Sequence, residues 1–151
     1  MTNANRDLAV RWFEEVWNKG RREAIAEMIS PDAVVHDGAT ETRGAEGFYP
    51  FFDMLHRVFS EMHIDIEKTI VEGDLVCVRW TSTMKHTGDA FGIAATGKAL
   101  HTTGISMMRV EDGKLVEGWQ NWDMLGVIEQ IRGTGVAAPM YIGTVAGATS
   151  A

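Results

Sequence analysis

Residues 105–131 read ISMMRVEDGKLVEGWQNWDMLGVIEQI, and this stretch decides the fold. Asp112 and Gly113 lie between two apolar runs, and an Asp-Gly pair in that setting predicts a type I′ turn between two antiparallel strands. After the second strand, Asp123 directly precedes apolar residues at helical spacing, which makes it first of all a candidate N-cap. The stretch therefore predicts strand, tight turn, strand and closing helix.

Successive side chains of the strand after the turn point to opposite faces of the sheet, so one face is expected inside the domain and the other outside. Strict alternation predicts that Val116, Gly118 and Gln120 face the interior of the domain. The opposite face would carry apolar side chains: Leu115 and Trp119, with Ile105 and Met107 on the neighbouring strand. Because soluble monomers seldom leave such a patch in water, we expect a homodimer that covers it.

Composition narrows the class of protein. A chain of 151 residues is long enough for one domain with a sizeable core, and Cys77 alone forms no intramolecular disulfide. The net charge of −7 argues against nucleic-acid binding, which needs clustered Lys and Arg. The N-terminal segment carries charges throughout, so neither a signal peptide nor a membrane span is expected, and we predict a cytoplasmic protein with no membrane partner.

Helical periods come first along the chain and strand periods follow. Apolar spacing predicts helices near residues 7–20, 21–29 and 45–60, with a brief strand at 33–36 and a polar loop at 37–44. Alternation then predicts long strands, and on the one near 75–86 the inner side chains would be Val76, Val78, Trp80, Ser82, Met84 and His86. This order indicates an α+β fold over residues 1–132, with three N-terminal helices and a short C-terminal helix packed on a strongly curved antiparallel or mixed sheet around a pocket. Residues 133–151 form a Gly/Ala-rich tail.

Four segments together resemble a known family: HTG (86–88), FGIAATGK (91–98), MRVEDGKLVE (108–117) and WDMLGVIEQI (122–131). Their order and spacing, with VHD at 35–37, are similar to those of the SnoaL-like polyketide cyclases of the nuclear-transport-factor-2-like superfamily. The resemblance covers about residues 7–131. It implies a conical α+β barrel, usually dimeric, with a pocket at the open end of the cone and with no cofactor or metal.

The same resemblance implies a reaction. Cyclases of this family close a ring by intramolecular aldol condensation, with an aspartate on the last strand and a histidine on the strand before it. Those two positions fall on Gln120 and Ser106 in this chain. Neither glutamine nor serine exchanges a proton near neutral pH, so the acid/base groups must be sought elsewhere.

Four side chains are the catalytic candidates: His36, His86, Asp123 and His101. His86 would lie on an apolar inner face and His36 at the mouth of the cone, with Asp37 either orienting His36 or ending its strand. Each histidine also has a structural interpretation, as does Asp123 in its capping role. His101 points inward only if a bulge interrupts its strand. His56 and His63 are expected on solvated faces.

Candidate substrate-binding residues surround these groups. Gln120 and Asn121 could donate hydrogen bonds to a substrate oxygen, and Ser106 occupies the family's histidine position. An apolar wall for a bulky ligand could come from the following residues, which are equally compatible with core packing: Tyr49, Phe52, Trp80, Trp122, Met84 and Met108. The histidines show no paired spacing, so no metal site is predicted.

The sequence thus predicts a cofactor-independent acid/base enzyme, cyclase-like or isomerase-like, for a hydrophobic aromatic or polycyclic small molecule. Two alternatives remain. One is a cofactorless lyase or dehydratase on an aromatic, lignin-type substrate, and the other is a non-catalytic protein that binds a small ligand.

Overall fold

A computed structural model describes residues 3–134, which form four helices and one six-stranded sheet. The helices are α1 (Ala4–Trp12), which continues as a π-helical segment over Phe13–Asn18, α2 (Glu23–Met28), α3 (Gly44–Val58) and α4 (Met124–Arg132). The strands are β1 (Ile29–Asp37), β2 (Thr40–Arg43), β3 (Phe59–Glu72), β4 (Leu75–His86), β5 (Ala99–Glu111) and β6 (Lys114–Trp122). The predicted α+β class, with three helices before the long strands and one after, is confirmed. The Gly/Ala-rich tail was predicted for residues 133–151, of which 135–151 lie outside the described part.

The sheet has the strand order β2-β1-β6-β5-β4-β3 and is open rather than closed. All neighbouring strands are antiparallel except β1 and β6, which run parallel, so the sheet is mixed. Asp112 and Gly113 both have positive φ, as the predicted type I′ turn between β5 and β6 requires. The last strand, β6, thus lies between β5, its hairpin partner, and β1, the first strand, with which it pairs in parallel.

The core lies between the concave sheet face and the first three helices. Helix α1 and its π-helical continuation bury Trp12, Phe13 and Trp17, and α3 buries Phe48 and Phe52. Trp17 contacts Phe48 and Phe52 at ring-centroid distances of 6.0 and 5.7 Å. Aromatic pairs at such distances are common in protein cores and contribute about 0.5–1.5 kcal/mol each beyond burial of their area. On β4, the six side chains predicted to face inward are all buried.

A bulge in β6 corrects one prediction about this strand. Val110 pairs with Leu115 and Arg109 pairs with Glu117, so Val116 is the extra residue. The extra residue reverses which face of the sheet is occupied by each β6 residue that precedes it. Leu115 is therefore buried in the core instead of lying on the outer face, whereas Gly118 lies opposite buried Met108 as strict alternation predicted.

Residues 37–44, predicted as a polar loop, instead contain the edge strand β2. Thr40 pairs with Asp37 and Thr42 with Val35 in an antiparallel hairpin, with Gly38 at positive φ in the turn. The polar composition of this segment hid its strand character, because edge strands often carry polar side chains. β2 adds an edge strand to the sheet, beside the C-terminal half of β1.

At the other edge of the sheet, one helix side chain bonds to the backbone of β3. Asn18, at the end of the π-helical segment, accepts a hydrogen bond from the Ile64 N–H (2.7 Å) through Oδ1. Its Nδ2 donates to the Ile64 carbonyl oxygen (3.0 Å). These two bonds fix the end of the first helix against the middle of the strand.

Candidate active site

Three small cavities lie between the helices and the concave face, and Gln120 lines all of them. The Asp37 cavity, of about 30 Å³, is lined by Val35, Asp37, Thr40, Thr42, Phe48, Phe51 and Gln120. The Trp12 cavity, of about 40 Å³, is lined among others by Trp12, Phe48, Ser106, Met108 and Gln120. The Trp80 cavity, also of about 40 Å³, is lined among others by Trp17, Trp80, Met84, Gln120 and Trp122. Each has room for a water-sized group or slightly more.

Asp37 is an ionisable residue that lies beside Gln120 at the smallest of these cavities. In the parallel β1–β6 pair Asp37 is the direct partner of Gln120, and strand partners point to the same face of a sheet. Burial raises the pKa of the Asp37 carboxyl above the ordinary value for an aspartate. A carboxylate made more basic in this way is better suited to take a proton from carbon. The sequence prediction gave Asp37 only a supporting role and missed this position.

Gln120 itself lies opposite Ser106 in the β5–β6 register, at the centre of the inner face. Ser106 is buried, and its Oγ accepts a hydrogen bond of 3.0 Å from Trp80 Nε1. Gln120, Ser106 and Trp80 therefore occupy the interior as predicted. The Ser106 hydroxyl oxygen already accepts the hydrogen bond from Trp80. Gln120 lines three cavities, and its amide is available to a ligand.

His36 lies on the opposite face of the sheet from these cavities. Its partner on β6 is Trp119, on which its ring stacks at 5.6 Å, and its Nε2 contacts Glu117 Oε1 at 3.0 Å. Glu41 approaches its Nδ1 at 3.5 Å. The predicted place of His36 in the pocket was wrong because both residues before it, Val34 and Val35, are apolar and gave no indication of which face is inner.

His86 faces inward as predicted, but it is fully buried and lines none of the three cavities. Its Nδ1 accepts a hydrogen bond from the Thr96 N–H (3.3 Å) and lies 2.9 Å from Thr96 Oγ1. The backbone of His86 also exchanges hydrogen bonds with Gly97 and Lys98. These contacts tie the 87–98 loop to the end of β4, so the geometry gives His86 a structural task.

Three further candidates lie away from the cavities. His101 and Asn121 are exposed on the outer face, because β5 has no bulge near His101 and β6 is regular after Glu117. Asp123 is exposed, and its Oδ1 accepts a hydrogen bond of 2.9 Å from the Gly126 N–H. This contact is the N-cap of α4 that the sequence predicted as the first possibility.

The predicted apolar wall divides into two groups. Met84, Met108 and Trp122 line the Trp12 or Trp80 cavity. Tyr49 instead lies under the Arg22 guanidinium, 3.7 Å from its ring centroid, and Phe52 packs on His56 at 4.0 Å. Phe48 and Phe51 line the Asp37 cavity in their place, one helical turn or less away on α3. His56 is thus packed between aromatic rings instead of lying on a solvated face, whereas His63 is largely exposed as expected.

Residues 3–134 show neither a membrane-spanning helix nor a cluster of metal ligands. Neither α1–α4 nor any other helix in this range has the length and apolar character needed to cross a bilayer. Within the same range no three His, Cys, Asp or Glu side chains come together in a way that could hold a metal ion.

The chain matches the family model described as SnoaL-like polyketide cyclase over residues 7–131. The chain belongs to the SnoaL-like polyketide cyclase family. Aklanonic acid methyl ester cyclase DnrD of Streptomyces peucetius is 30% identical over 129 residues, which cover 81% of this chain and 87% of DnrD. The resemblance noted in the sequence is thereby confirmed.

Two solved structures share the fold described above. Wild-type IdmH from Streptomyces antibioticus superposes with a TM-score of 0.76 at 28% identity, covering 86% of this chain and 99% of IdmH. A protein from Acidithiobacillus ferrooxidans superposes with a TM-score of 0.79 at 27% identity, covering 88% of this chain and 97% of the other. The chain thus spans nearly the whole length of these relatives.

Proposed function

We propose that this SnoaL-like protein closes a ring in an aromatic polyketide, with Asp37 as the acid/base group and without a cofactor. The observation that carries the proposal is the pairing of Asp37 with Gln120 at the cavity surface, together with the burial that raises the pKa of Asp37. The position where the family resemblance implies an acid is Gln120, and the neighbouring strand supplies a carboxyl group beside it.

The proposed chemistry is an intramolecular aldol addition. Ionised Asp37 removes a proton from a carbon next to a carbonyl, and the Gln120 amide donates a hydrogen bond to the enolate oxygen. The enolate carbon then attacks a second carbonyl carbon of the same molecule, forming the ring C–C bond. The resulting alkoxide takes the proton back from Asp37, so the product is an isomer of the substrate and no external reactant is consumed.

The interior suits a planar apolar substrate once side chains move. Gln120 lines all three cavities, so a ring system lying over it could reach each of them with the ring or with a substituent. Met62, Met84 and Met108 line the Trp80 and Trp12 cavities, and methionine side chains repack readily around a ligand.

The outer face supports a homodimer. Ile105 and Ile70 are 49% and 67% exposed, and Met107 and Trp119 lie on the same face of the sheet. A second copy covering these residues would remove an apolar patch from water. Leu115, which the sequence had assigned to this face, contributes nothing because it is buried.

The catalytic assignment is tested with Asp37→Asn, using aklanonic acid methyl ester, the substrate named for the relatives, as the compound supplied. Chromatography with mass detection should show a product of unchanged mass and changed retention for the wild type. We expect Asp37→Asn to lower the rate by about 10²- to 10⁴-fold. Wild-type turnover should fall as pH drops through the raised pKa of Asp37, because protonation removes the base. Asp32→Asn, at an exposed position of the same strand, is the matched control.

Stability distinguishes loss of chemistry from loss of fold. The folded state raises the pKa of Asp37, so the ionised carboxyl costs stability above that pKa, and the cost vanishes below the unfolded-state value. Asp37→Asn should therefore unfold at a higher urea concentration than the wild type at pH 7, and this gain should disappear towards pH 3.

Two outcomes would contradict the proposal. Turnover that is lost in His36→Ala but kept in Asp37→Asn would assign the acid/base role to an imidazole. A folded wild type that binds the ester without converting it would favour a ligand-binding protein.

A further inference from the structure

Thr42 stands out in the Asp37 cavity because its hydroxyl has no partner. Thr42 Oγ1 is buried and makes no hydrogen bond with any group in residues 3–134. Thr40, on the same short strand, differs: its Oγ1 donates to the Asp37 carbonyl oxygen at 2.7 Å. Thr42 is held from two sides, by the pairing with Val35 and by α3, where a Cβ on Gly47 would lie 3.7 Å from the Thr42 Cβ.

An unpartnered buried hydroxyl is unfavourable for the empty protein. Burial without a hydrogen bond costs free energy, and the great majority of buried polar groups in proteins find a partner. Valine has nearly the same shape, lacks the penalty and is well suited to a strand. A threonine here is therefore explained if a ligand atom supplies the missing hydrogen bond.

The walls of the cavity restrict what that atom can be. Its apolar lining residues are Val35, Phe48 and Phe51, and its polar ones are Asp37, Thr40, Thr42 and Gln120. A volume of about 30 Å³ admits a single substituent and not a ring. Hydroxyl and amide groups both donate and accept hydrogen bonds, so a hydroxyl or a carbonyl oxygen fits. A carboxylate does not, because the negative charge of Asp37 would repel it.

We infer that the Asp37 cavity is the subsite for one uncharged oxygen substituent on the aromatic ligand, and that Thr42 is the residue that selects it. The inference rests on the proposed function in that the ring system is taken to lie over Gln120. It goes further by stating which substituent enters the cavity and which is rejected. A site built to hydrogen-bond an oxygen discriminates strongly against an analogue that lacks it, because its own polar group then stays unpaired.

Binding of three matched probes tests the selection without any turnover. The probes are 1-naphthol, 1-methylnaphthalene and 1-naphthoate, and tryptophan fluorescence reports their dissociation constants. The wild type should bind 1-naphthol most tightly and 1-naphthoate most weakly. Thr42→Val should weaken 1-naphthol about 3- to 10-fold, as expected for one net hydrogen bond, and leave 1-methylnaphthalene unchanged or tighter. Thr42→Ser should restore the preference, and Thr83→Val, an exposed threonine of β4, should bind like the wild type.

Several outcomes would overturn the inference. They are equal weakening of 1-naphthol and 1-methylnaphthalene in Thr42→Val, a wild type that prefers 1-methylnaphthalene, and a wild type that binds none of the probes. These results differ from failure of the proposed function, which shows as turnover retained in Asp37→Asn. A probe preference that depends on Thr42 in a protein without turnover would support the subsite and remove only the catalytic proposal.

Discussion

One methyl group added at Gly104 should disturb the packing of the interior. Gly104 lies on the inner face of β5 as the partner of Trp80, whose indole covers it. A Cβ at residue 104 would lie 2.7 Å from both Cε2 and Cη2 of Trp80 and closer still to Cζ2. Carbon atoms normally pack at about 3.5–4.0 Å, so the indole must shift by more than about 1 Å. Such a shift endangers the hydrogen bond from Trp80 Nε1 to Ser106 Oγ.

The expected cost follows from these contacts. Overpacking of a core costs about 1–3 kcal/mol, and loss of a buried hydrogen bond adds about 1 kcal/mol. Replacing glycine by alanine in a strand returns about 0.5–1 kcal/mol. Gly104→Ala should therefore lower the free energy of unfolding by about 2 kcal/mol. For a slope of about 1–3 kcal/mol per molar urea, the midpoint would fall by roughly 1 M.

Gly118→Ala is the matched control. Gly118 lies on the inner face of the next strand, but a Cβ there would meet nothing closer than 3.9 Å, so the substitution should be neutral or slightly stabilising. Urea unfolding followed by tryptophan fluorescence compares the two variants, and near-UV circular dichroism reports the shift of the indole. Adding Trp80→Phe to Gly104→Ala should recover part of the loss, since the smaller ring leaves room for the methyl group. Equal midpoints for Gly104→Ala and Gly118→Ala would refute the reasoning.

Three further predictions concern the cap, an ion-pair cluster and the outer face. Asp123→Ala should destabilise the protein by about 1 kcal/mol through loss of the α4 cap while Asp123→Asn costs little, and equal unfolding midpoints for the two would contradict the capping role. Hydrogen bonds from Lys19 and Arg21 lower the pKa of Glu15 to about 2, so Glu15→Gln should be less stable than the wild type at pH 7, with a difference that shrinks between about pH 4.5 and 2; a pH-independent difference in thermal unfolding would refute this. Ile105→Glu should convert a dimer to a monomer in sedimentation at micromolar concentration, and a monomeric wild type would rule out the dimer.

The buried face of a regular strand could be predicted from the sequence more completely than that of a strand with a bulge. On β4, buried and less buried side chains alternate from Val76 to His86 without interruption, and its buried face was predicted in full. On β6 the pattern was equally clear, yet the bulge at Val116 reversed the residues before it. A bulge depends on the register with the partner strand, which the sequence of one strand does not contain.

The inward position of Asp37 beside Gln120 was missed for a related reason. In the AVVHD segment of β1, Val34 and Val35 are both apolar, so alternation did not say whether His36 or Asp37 faces inward. Histidine was preferred for its ordinary pKa, whereas the structure places the aspartate inward and raises its pKa by burial. Recognising β2 as a strand would have helped, because its pairing fixes Thr40 opposite Asp37.

The two hydrogen bonds from Asn18 to Ile64 have a consequence for how the molecule behaves at high concentration. The side-chain amide presents the same donor and acceptor pair that a neighbouring strand would present, and it does so in the middle of the 14-residue edge strand. An exposed edge of that length is a template on which another chain can add its own strand. Because Asn18 occupies part of this edge, we expect it to reduce edge-to-edge aggregation. The variant Asn18→Leu should still fold but should aggregate more than the wild type at high concentration. Light scattering of the two proteins at equal concentration measures this difference.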